Sequence, residues 1–192
     1  LAQQAGLTRW QCLVLGNLSS LQANQGRTAE SLRQGEAALN LARELGDRQR
    51  EGNTLCNLGL LYLMQARLDE AMQAGHAALQ VGRDLGDARS ECVALCNLGL
   101  AHNAKGEPAP ALAHFDAALA LSRQTRDRRS EGQILGYMGL ARARLGEHGM
   151  AQQQLAAGHD ILQDLQDQLS LGLLLCCRAE SQWLAGDADA AR

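Results

Sequence analysis

The chain has 192 residues, with 18 basic and 21 acidic side chains and a formal net charge of −3. This balance argues against a basic surface for nucleic acid or membranes, and no run of about 18 apolar residues is present to span a bilayer. Aromatic residues make up only 3% of the chain, and Pro108 and Pro110 are its two prolines, a composition typical of long helices that stack through small residues.

A short motif recurs along the chain with a period of 40 residues. The sequence Leu-Cys-Asn-Leu-Gly-Leu occupies 55–60 and again 95–100, and related sequences occupy 15–20 and 135–140. A fixed period of this kind is typical of repeat architectures in which each repeat is one supersecondary unit. Within each period the apolar residues follow the three- and four-residue spacing of two helical faces, which predicts an all-α chain of antiparallel helix pairs.

In chain order, the first six residues align with 41–46, so we expect the chain to open on the last turns of a preceding repeat. The helices of the second repeat are predicted at roughly 48–66 and 68–85, and the other repeats follow the same register. The chain closes after Gly186 on the start of a further helix, which makes ten helical segments, the last a stub. We therefore predict a single array over 1–192, about four full repeats plus partial repeats at both ends, as a fragment of a longer chain.

The same residues punctuate successive repeats. Gly46 and Gly86 suit the left-handed residue that ends a helix, and the aspartates at these junctions suit the N-cap of the next helix. Those aspartates are Asp47, Asp87, Asp127 and Asp167. The turn inside each repeat is marked by Gly26, Gly106, Gly146 and Gly186, with Ala66 as the exception.

Glycine also recurs inside the first helix of the repeats, at Gly59, Gly99 and Gly139. An interior glycine costs a helix about 1 kcal/mol relative to alanine. Its recurrence therefore predicts close approach by the paired helix, and we expect Gly99→Leu to destabilise the fold by overpacking.

These positions resemble the tetratricopeptide repeat. That family's pattern is a bulky residue, Leu-Gly and an aromatic residue in the first helix, then Ala, an aromatic residue and Ala in the second. The matching residues are Leu55, Leu58, Gly59, Tyr62, Ala71, Gly75 and Ala78; Leu95, Leu98, Gly99, His102, Ala111, Phe115 and Ala118; and Leu135, Met138, Gly139, Arg142, Ala151, Leu155 and Gly158. The resemblance covers essentially the whole chain and implies an α-solenoid, a right-handed superhelix of antiparallel helix pairs with a concave groove.

The usual period of this family is about 34 residues. The 40-residue form looks like the repeats of kinesin light chains, of Leu-Gly-Asn-repeat polarity adaptors, and of helical regions attached to bacterial regulatory ATPases and transcription regulators. The composition, rich in Ala, Arg and Gln with Lys105 as the only lysine, fits a GC-rich bacterium. The fifth repeat departs from the pattern, because Arg178 and Ala179 stand where Leu-Gly is expected.

The candidate chemical groups are better explained by structure than by catalysis. Cys92 and Cys96 have a chelating spacing, but a zinc site needs further ligands and the sequence shows no ligand pattern. No nucleophile with a positioned histidine and no phosphate-binding loop can be derived from the spacing. The arginines at a helix junction, Arg123, Arg126, Arg128 and Arg129, indicate a solvated edge. We therefore expect no catalytic residue, no metal and no cofactor.

A ladder of asparagines is the most informative polar pattern. Asn17, Asn57 and Asn97 recur every 40 residues at a first-helix position that faces the groove in the resembled family. An asparagine amide can pair with the backbone of an extended peptide, although it can equally bridge neighbouring helices. The predicted peptide-binding groove consists of Asn17, Asn57, Asn97, Tyr137, Cys56, Cys96, Leu60, Leu100, Asn103 and Arg144.

The sequence thus predicts a non-catalytic protein–protein interaction scaffold that binds an extended peptide or partner segment. The alternative is a ligand-sensing or autoinhibitory region of a larger bacterial signalling or transcription regulator, and an enzyme is a weaker third. We expect a protein or peptide partner, no nucleic acid and no membrane. The free cysteines favour a cytoplasmic location. Because both ends expose apolar helix faces, we also expect end-to-end self-association of the fragment.

Overall fold

The computed structural model describes residues 2–186, with side chains from Gly6 onward. Within this part the chain forms nine helices and no strand, which confirms the predicted all-α fold of an α-solenoid. The helices are α1 (Ala2–Asn24), α2 (Thr28–Glu44), α3 (Arg48–Met64), α4 (Leu68–Leu85), α5 (Ala88–Ala104), α6 (Pro108–Gln124), α7 (Arg128–Arg144), α8 (His148–Asp164) and α9 (Gln168–Leu184). Odd-numbered helices are the first helices of the repeats. The predicted stub after Gly186 lies outside the described residues.

The aspartates at the repeat junctions cap the following helices, as predicted. The Asp127 Oδ1 atom accepts a hydrogen bond from the backbone N–H of Ser130 at 3.1 Å, and Asp167 Oδ1 accepts one from Ser170 at 3.2 Å. Asp47 caps α3 in the same way. Each cap satisfies a backbone donor that the first turn of a helix leaves without a partner, so the repeat boundary is encoded locally.

Left-handed residues end the helices at these junctions. Gly46 and Gly86 have φ angles of 64° and 63°, as predicted. Arg126 and Gln166 adopt the same conformation at the later junctions, with φ angles of 57° and 54°, and Ala66 does so inside the second repeat at 56°. The left-handed region costs a residue with a Cβ atom roughly 1–2 kcal/mol, so the turn geometry is retained even where glycine is absent.

The structure differs from the sequence expectation at the first helix. α1 runs without interruption from Ala2 to Asn24, so the residues before Leu7 continue the first helix of this repeat and do not close a preceding one. The physical reason is the missing capping residue. Leu7 stands where the other repeats have the capping aspartate, so no carboxylate is available here to cap the start of a new helix.

Small residues bring paired helices close together, as the recurring glycines predicted. A Cβ atom on Gly99 would lie 2.4 Å from Cε1 of Phe115. A Cβ atom on Gly139 would lie 2.6 Å from Cγ of Leu155. Real Cβ contacts are essentially never this short, so each glycine leaves room for a large side chain of the paired helix.

The first repeat solves the same packing problem with two serines. Ser19 replaces the interior glycine and Ser31 replaces the alanine that faces it in later repeats. The Ser31 hydroxyl donates to the Ser19 carbonyl at 2.7 Å, and the Ser19 hydroxyl donates to the Ser31 carbonyl at 2.8 Å. Both residues are buried, so this reciprocal pair joins α1 to α2 with its polar groups satisfied.

The chain divides into two compact units, residues 1–98 and 99–192, and the boundary falls inside α5. In the first unit the core includes the fully buried Leu58. In the second it includes Phe115 and Ile134, also fully buried. Each unit therefore has a core of its own.

The predicted solvated arginine edge is a set of ion pairs. Arg123 Nε and Arg128 Nη1 bind the two carboxylate oxygens of Glu131 at 2.9 and 2.7 Å, and Arg129 Nε lies 3.0 Å from Asp167 Oδ2. Glu131 is buried. Burial raises the pKa of Glu131, but the hydrogen bonds from Arg123 and Arg128 outweigh it, so the pKa lies below its ordinary value.

The second repeat carries the same arrangement. There Arg43 Nε lies 3.0 Å from Glu51 Oε1, and Arg48 Nη1 lies 2.5 Å from Glu51 Oε2. Burial raises the pKa of Glu51, and the hydrogen bonds from Arg43 and Arg48 lower it further than burial raises it. These arginines therefore neutralise a buried acid at each of these two junctions and do not form a free basic patch.

Candidate peptide-binding face

Three clefts meet at Asn57 in the first unit. They lie between α1, α3 and the start of α5, and Asn57 lines all three. We call this surface the Asn57 face. Asn57 is exposed, and its amide makes no hydrogen bond to any residue that the structure describes. An exposed amide with two donors and an acceptor is available for the backbone of a bound segment.

The first cleft is mainly apolar and has a volume of about 240 Å³. It runs between α1 and α3, with Ala23, Leu60, Leu61 and Met64 as its apolar lining. Leu60 and Met64 are exposed large hydrophobic residues. A partner side chain of leucine or methionine size would remove this surface from water, which is the kind of contact that apolar clefts favour.

The second cleft is polar and has a volume of about 470 Å³. Asp87 at its edge accepts hydrogen bonds from the side chains of Gln49 at 2.9 Å and Ser90 at 2.6 Å. The hydrogen bonds from Ser90 and then Gln49 hold the pKa of Asp87 below its ordinary value. Arg89 lines the same cleft, is exposed, and its guanidinium has no acidic partner among the described residues. The cleft therefore offers one unpaired positive charge beside an acid whose hydrogen bonds are already made.

The third cleft joins the other two along α1 and α3. It has a volume of about 240 Å³ and includes Asn17, Ser20, Asn53 and Asn57. Asn17 is exposed and, like Asn57, has no hydrogen-bond partner among the described residues. The first two members of the asparagine ladder are thus both accessible on one surface.

Asn97, the third member of the predicted ladder, has a different environment. It is only 6% exposed, and its Nδ2 atom donates to the backbone carbonyl of Cys56 at 2.8 Å. The amide therefore bridges α5 to α3, which is the structural alternative that the sequence left open. A Cβ atom on Gly59 would lie 3.4 Å from this Nδ2 atom, in van der Waals contact, so the amide lies directly against this glycine.

One repeat earlier, the position that corresponds to Gly59 carries a side chain. Ser19 of α1 occupies the register position of Gly59, and its side chain is buried in hydrogen bonds with Ser31. Asn57, which would need that space to bridge α3 to α1, is exposed instead. The ladder therefore presents two accessible amides and one engaged amide, although 55–60 and 95–100 have identical sequences.

Cys56, one of the two predicted groove cysteines, is a packing residue. Cys56 lines the polar cleft but is buried, and its Sγ atom donates to the Ser90 carbonyl at 3.9 Å. Burial, with a smaller effect of Asp87, raises the pKa of Cys56 to about 11. Its thiol is therefore protonated at neutral pH and contributes to packing. Cys96 is partly exposed.

In the second unit, two of the predicted groove residues form a tie between first helices. Arg144 Nη1 donates to the carbonyl and to Oδ1 of Asn103, and Arg144 Nε and Nη2 donate to Glu180 Oε1 at 3.2 and 2.5 Å. Asn103 is buried. The three side chains lie on α5, α7 and α9, so the Arg144 guanidinium, which was predicted to line the groove, is engaged within the protein.

The remaining groove residues of the second unit are partly buried or buried. The Tyr137 ring stacks on Phe115 with centroids 5.9 Å apart and an interplanar angle of 29°. Leu100 is also partly buried. The structure therefore places the accessible polar groups of the predicted groove in the first unit.

Several accessible residues of this surface were missed by sequence reasoning, notably Asn53, Met64 and Arg89. Asn53 and Met64 could have been found, because residues four before and seven after Asn57 share its helical face. Arg89 belongs to the next helix start, and its place beside Asn57 depends on how α5 packs on α3.

In the part of the chain that the structure describes, no three His, Cys, Asp or Glu side chains lie together so as to hold a metal ion. His102 and His114 stack with ring centroids 5.2 Å apart, and His102 Nδ1 lies 2.7 Å from Glu107 Oε2. Between residues 2 and 186, no helix is both long and apolar enough to cross a bilayer.

Helix hairpins repeated every 40 residues, with first helices that share an exposed, cleft-lined face, define a helical-repeat interaction scaffold. Two tetratricopeptide repeat family profiles match the chain, over residues 10–84 and 92–128, which together exceed half of its length. The chain belongs to the tetratricopeptide repeat family. This confirms the resemblance inferred from the sequence motifs.

Solved structures of the same fold are similar to this chain. Aspartyl phosphate phosphatase F from Bacillus subtilis is 17% identical with a TM-score of 0.80, covering 94% of this chain and 47% of that protein. A Rap protein complexed with Competence and Sporulation Factor is 16% identical with a TM-score of 0.81, covering 96% and 51%. TPR-like repeats assigned to a kinesin light chain of Podosopora anserina are 14% identical with a TM-score of 0.69, covering 93% and 88%.

At these identities the likeness establishes the fold alone. The chain spans about half the length of the first two proteins. Among curated proteins, no sequence relative matches the chain.

Proposed function

We propose that this chain is a non-catalytic scaffold that binds an extended peptide segment on the Asn57 face. The observation that carries the proposal is the unpartnered, exposed amide of Asn57 at the meeting point of three clefts. An extended peptide advances about 3.3 Å per residue, so roughly three residues cover the ~10 Å between neighbouring first helices. Asn17 and Asn57 would then grip the backbone of residues about three apart.

The clefts define the side chains that such a segment would carry. The lining with Leu60 and Met64 fits one apolar side chain, and the unpaired guanidinium of Arg89 fits an acidic group further along the segment. Backbone contacts from asparagine give affinity with little sequence preference, so these two positions would set selectivity. The six cysteines are free thiols, which supports a reducing, cytoplasmic setting for the scaffold.

A ligand-sensing role is the second candidate, and the Rap structure complexed with Competence and Sporulation Factor favours it. In that case the Asn57 face would hold a regulatory ligand or a segment of a longer regulator. The two roles share one surface and differ in the consequence of binding. A sensor would transmit the occupied state to an attached effector domain, whereas an adaptor would only bring its partner near.

The experiment uses a random peptide library displayed on phage, selected on the immobilised chain. A selected peptide is then titrated by fluorescence anisotropy against wild type and variants. We expect Asn57→Ala to weaken binding about fivefold, which corresponds to roughly 1 kcal/mol for one lost hydrogen bond. Asn40→Ala is the matched control, because Asn40 is also exposed but lies on α2, outside the clefts.

Asn97→Ala provides the opposite pattern. Because its amide is buried against the Cys56 carbonyl, this variant should lose about 1 kcal/mol of stability and retain peptide affinity. An Asn57→Ala variant with unchanged affinity and a lower melting temperature would overturn the binding role of the Asn57 face.

A further inference from the structure

The outer face of α1 is an apolar stripe that no described residue covers. Its members are Leu7, Trp10, Val14, Leu18 and Leu21, which are 62%, 67%, 57%, 36% and 53% exposed. Another face of the same helix carries the buried Cys12 and Ser19, which hydrogen-bond to α2. A helix that is apolar on both faces is typically covered on both. None of the five stripe residues lines the clefts around Asn57.

We propose that this stripe is a dimer interface, in which α1 of one copy packs antiparallel against α1 of a second copy. The five residues span 14 positions in four intervals, a mean spacing of 3.5 residues. That spacing is the period of paired helices that keep one apolar seam in contact. The stripe is thus self-complementary along its length, as a two-fold interface requires.

Antiparallel pairing is favoured by the helix dipoles, because the two dipoles of an antiparallel pair oppose each other favourably. Arg9 is the only charged residue of α1. At about 100° per residue it lies on a different side of the helix from the stripe, so pairing along the stripe buries no charge.

The antiparallel register matches the shape of the surface. With Val14 opposite its own copy, Leu7 faces Leu21 and Trp10 faces Leu18. A cleft of about 530 Å³ lies beside the stripe, lined by Leu7, Trp10, Val14 and Leu41 among others. The leucine of the second copy that faces Trp10 enters this cleft, where it finds an apolar lining.

The available area suits a dimer of modest affinity. Because each of the five side chains is between one third and two thirds exposed, they leave on the order of 500 Å² of apolar surface in water on each copy. A pair would then bury about 1,000 Å², which is the lower end for a specific interface. The predicted end-to-end association would instead pair α1 with α9, where Glu180 interrupts the exposed Leu169, Leu173 and Trp183.

The first test measures the mass of the whole chain by sedimentation equilibrium from low to high micromolar concentration. We expect wild type to dimerise and Val14→Lys to raise the dissociation constant at least about tenfold, because a lysine would be buried opposite its own copy. Trp183→Lys is the matched control, since Trp183 is 65% exposed on α9, and it should dimerise like wild type. Circular dichroism confirms that Val14→Lys folds.

The second test fixes the register in a Cys176→Ser background, which removes the exposed native thiol. A mixture of Leu7→Cys and Leu21→Cys chains should form intermolecular disulfides, while either variant alone should not. Cross-linking of each variant with itself would overturn the antiparallel register. A wild-type chain that stays monomeric, or dissociation caused by Trp183→Lys and not by Val14→Lys, would overturn the interface.

Discussion

Replacing Gly99 with alanine tests whether close helix packing, rather than helix propensity, decides the stability of the second unit. The new Cβ atom would lie 2.4, 2.6 and 2.8 Å from three ring atoms of Phe115. Phe115 is fully buried, so its ring can move away only by displacing neighbouring core groups. Overpacking of this kind costs about 1–3 kcal/mol, whereas glycine-to-alanine in a helix gains up to about 1 kcal/mol. The net expectation is a loss of about 1–2 kcal/mol, and Gly99→Leu should lose more.

Gly172→Ala is the matched control for that substitution. Gly172 lies inside α9, and a Cβ atom there meets nothing within 4 Å. The control should therefore gain up to about 1 kcal/mol from propensity alone. Urea and thermal unfolding followed by far-ultraviolet circular dichroism compare both variants with wild type, and 1 kcal/mol corresponds to about 2–4 °C at this chain length.

A double variant tests whether Gly99→Ala destabilises the fold through its contact with Phe115. Phe115→Leu creates a cavity on its own, but in the Gly99→Ala background the smaller side chain also relieves the contact. The two losses should therefore sum to more than the loss in the double variant, with a coupling of about 1 kcal/mol or more. Strict additivity, or a Gly99→Ala variant as stable as Gly172→Ala, would refute the packing argument.

Two further predictions concern the junction acids and the first serine. The folded-state pKa values of Glu51 and Glu131 lie below the ordinary 4.5, so their stabilisation is complete above pH 4.5 and is lost as pH falls through the lowered values. The urea midpoint of wild type should therefore decrease between pH 7 and a pH below 4, and that decrease should be smaller in the double variant Glu51→Gln/Glu131→Gln. An equal decrease in both proteins would contradict this. Ser19→Gly should open the space that Asn57 lacks, so the Asn57 side-chain amide protons should become protected in NMR exchange and peptide affinity should fall; an unchanged amide signal would contradict it.

Much of the fold was readable from the sequence because the information is local. Capping aspartates such as Asp127 act within a few residues, and the glycines at Gly99 and Gly139 indicate their close contacts through their helical context. The first helix was predicted wrongly because the first six residues align with the helix end at 41–46. Leu7 lacks the carboxylate that caps the later helices, and α1 continues through this position. Helix caps and interior glycines could thus be interpreted correctly from the sequence, because each depends on residues close to it in the chain.

The candidate site was less predictable because exposure depends on neighbours from another repeat. Arg144 could be placed on the groove face from its register, but its engagement requires Glu180, which lies 36 residues later. Nothing near Arg144 in sequence indicates that partner. An ion pair between repeats depends on the residues at two positions in different repeats, so the residue type at one of them does not predict the pair.

The two identical motifs at 55–60 and 95–100 show how this array can assign different roles to one sequence. Asn97 enters the space beside Gly59 and joins α5 to α3, so it contributes to the stability of the stack. Asn57 lines the same cleft as Ser19, which holds the corresponding register position, and it remains exposed. The facing register position differs between the two, with Gly59 in one repeat and in the other Ser19, whose hydroxyl is hydrogen-bonded to Ser31. We expect this single side chain to decide which asparagine is engaged, as Ser19→Gly tests. In this array, an asparagine of the ladder therefore stays available for binding when the preceding repeat leaves no space for its amide. The residue that decides this lies in the preceding repeat, at the register position of Gly59.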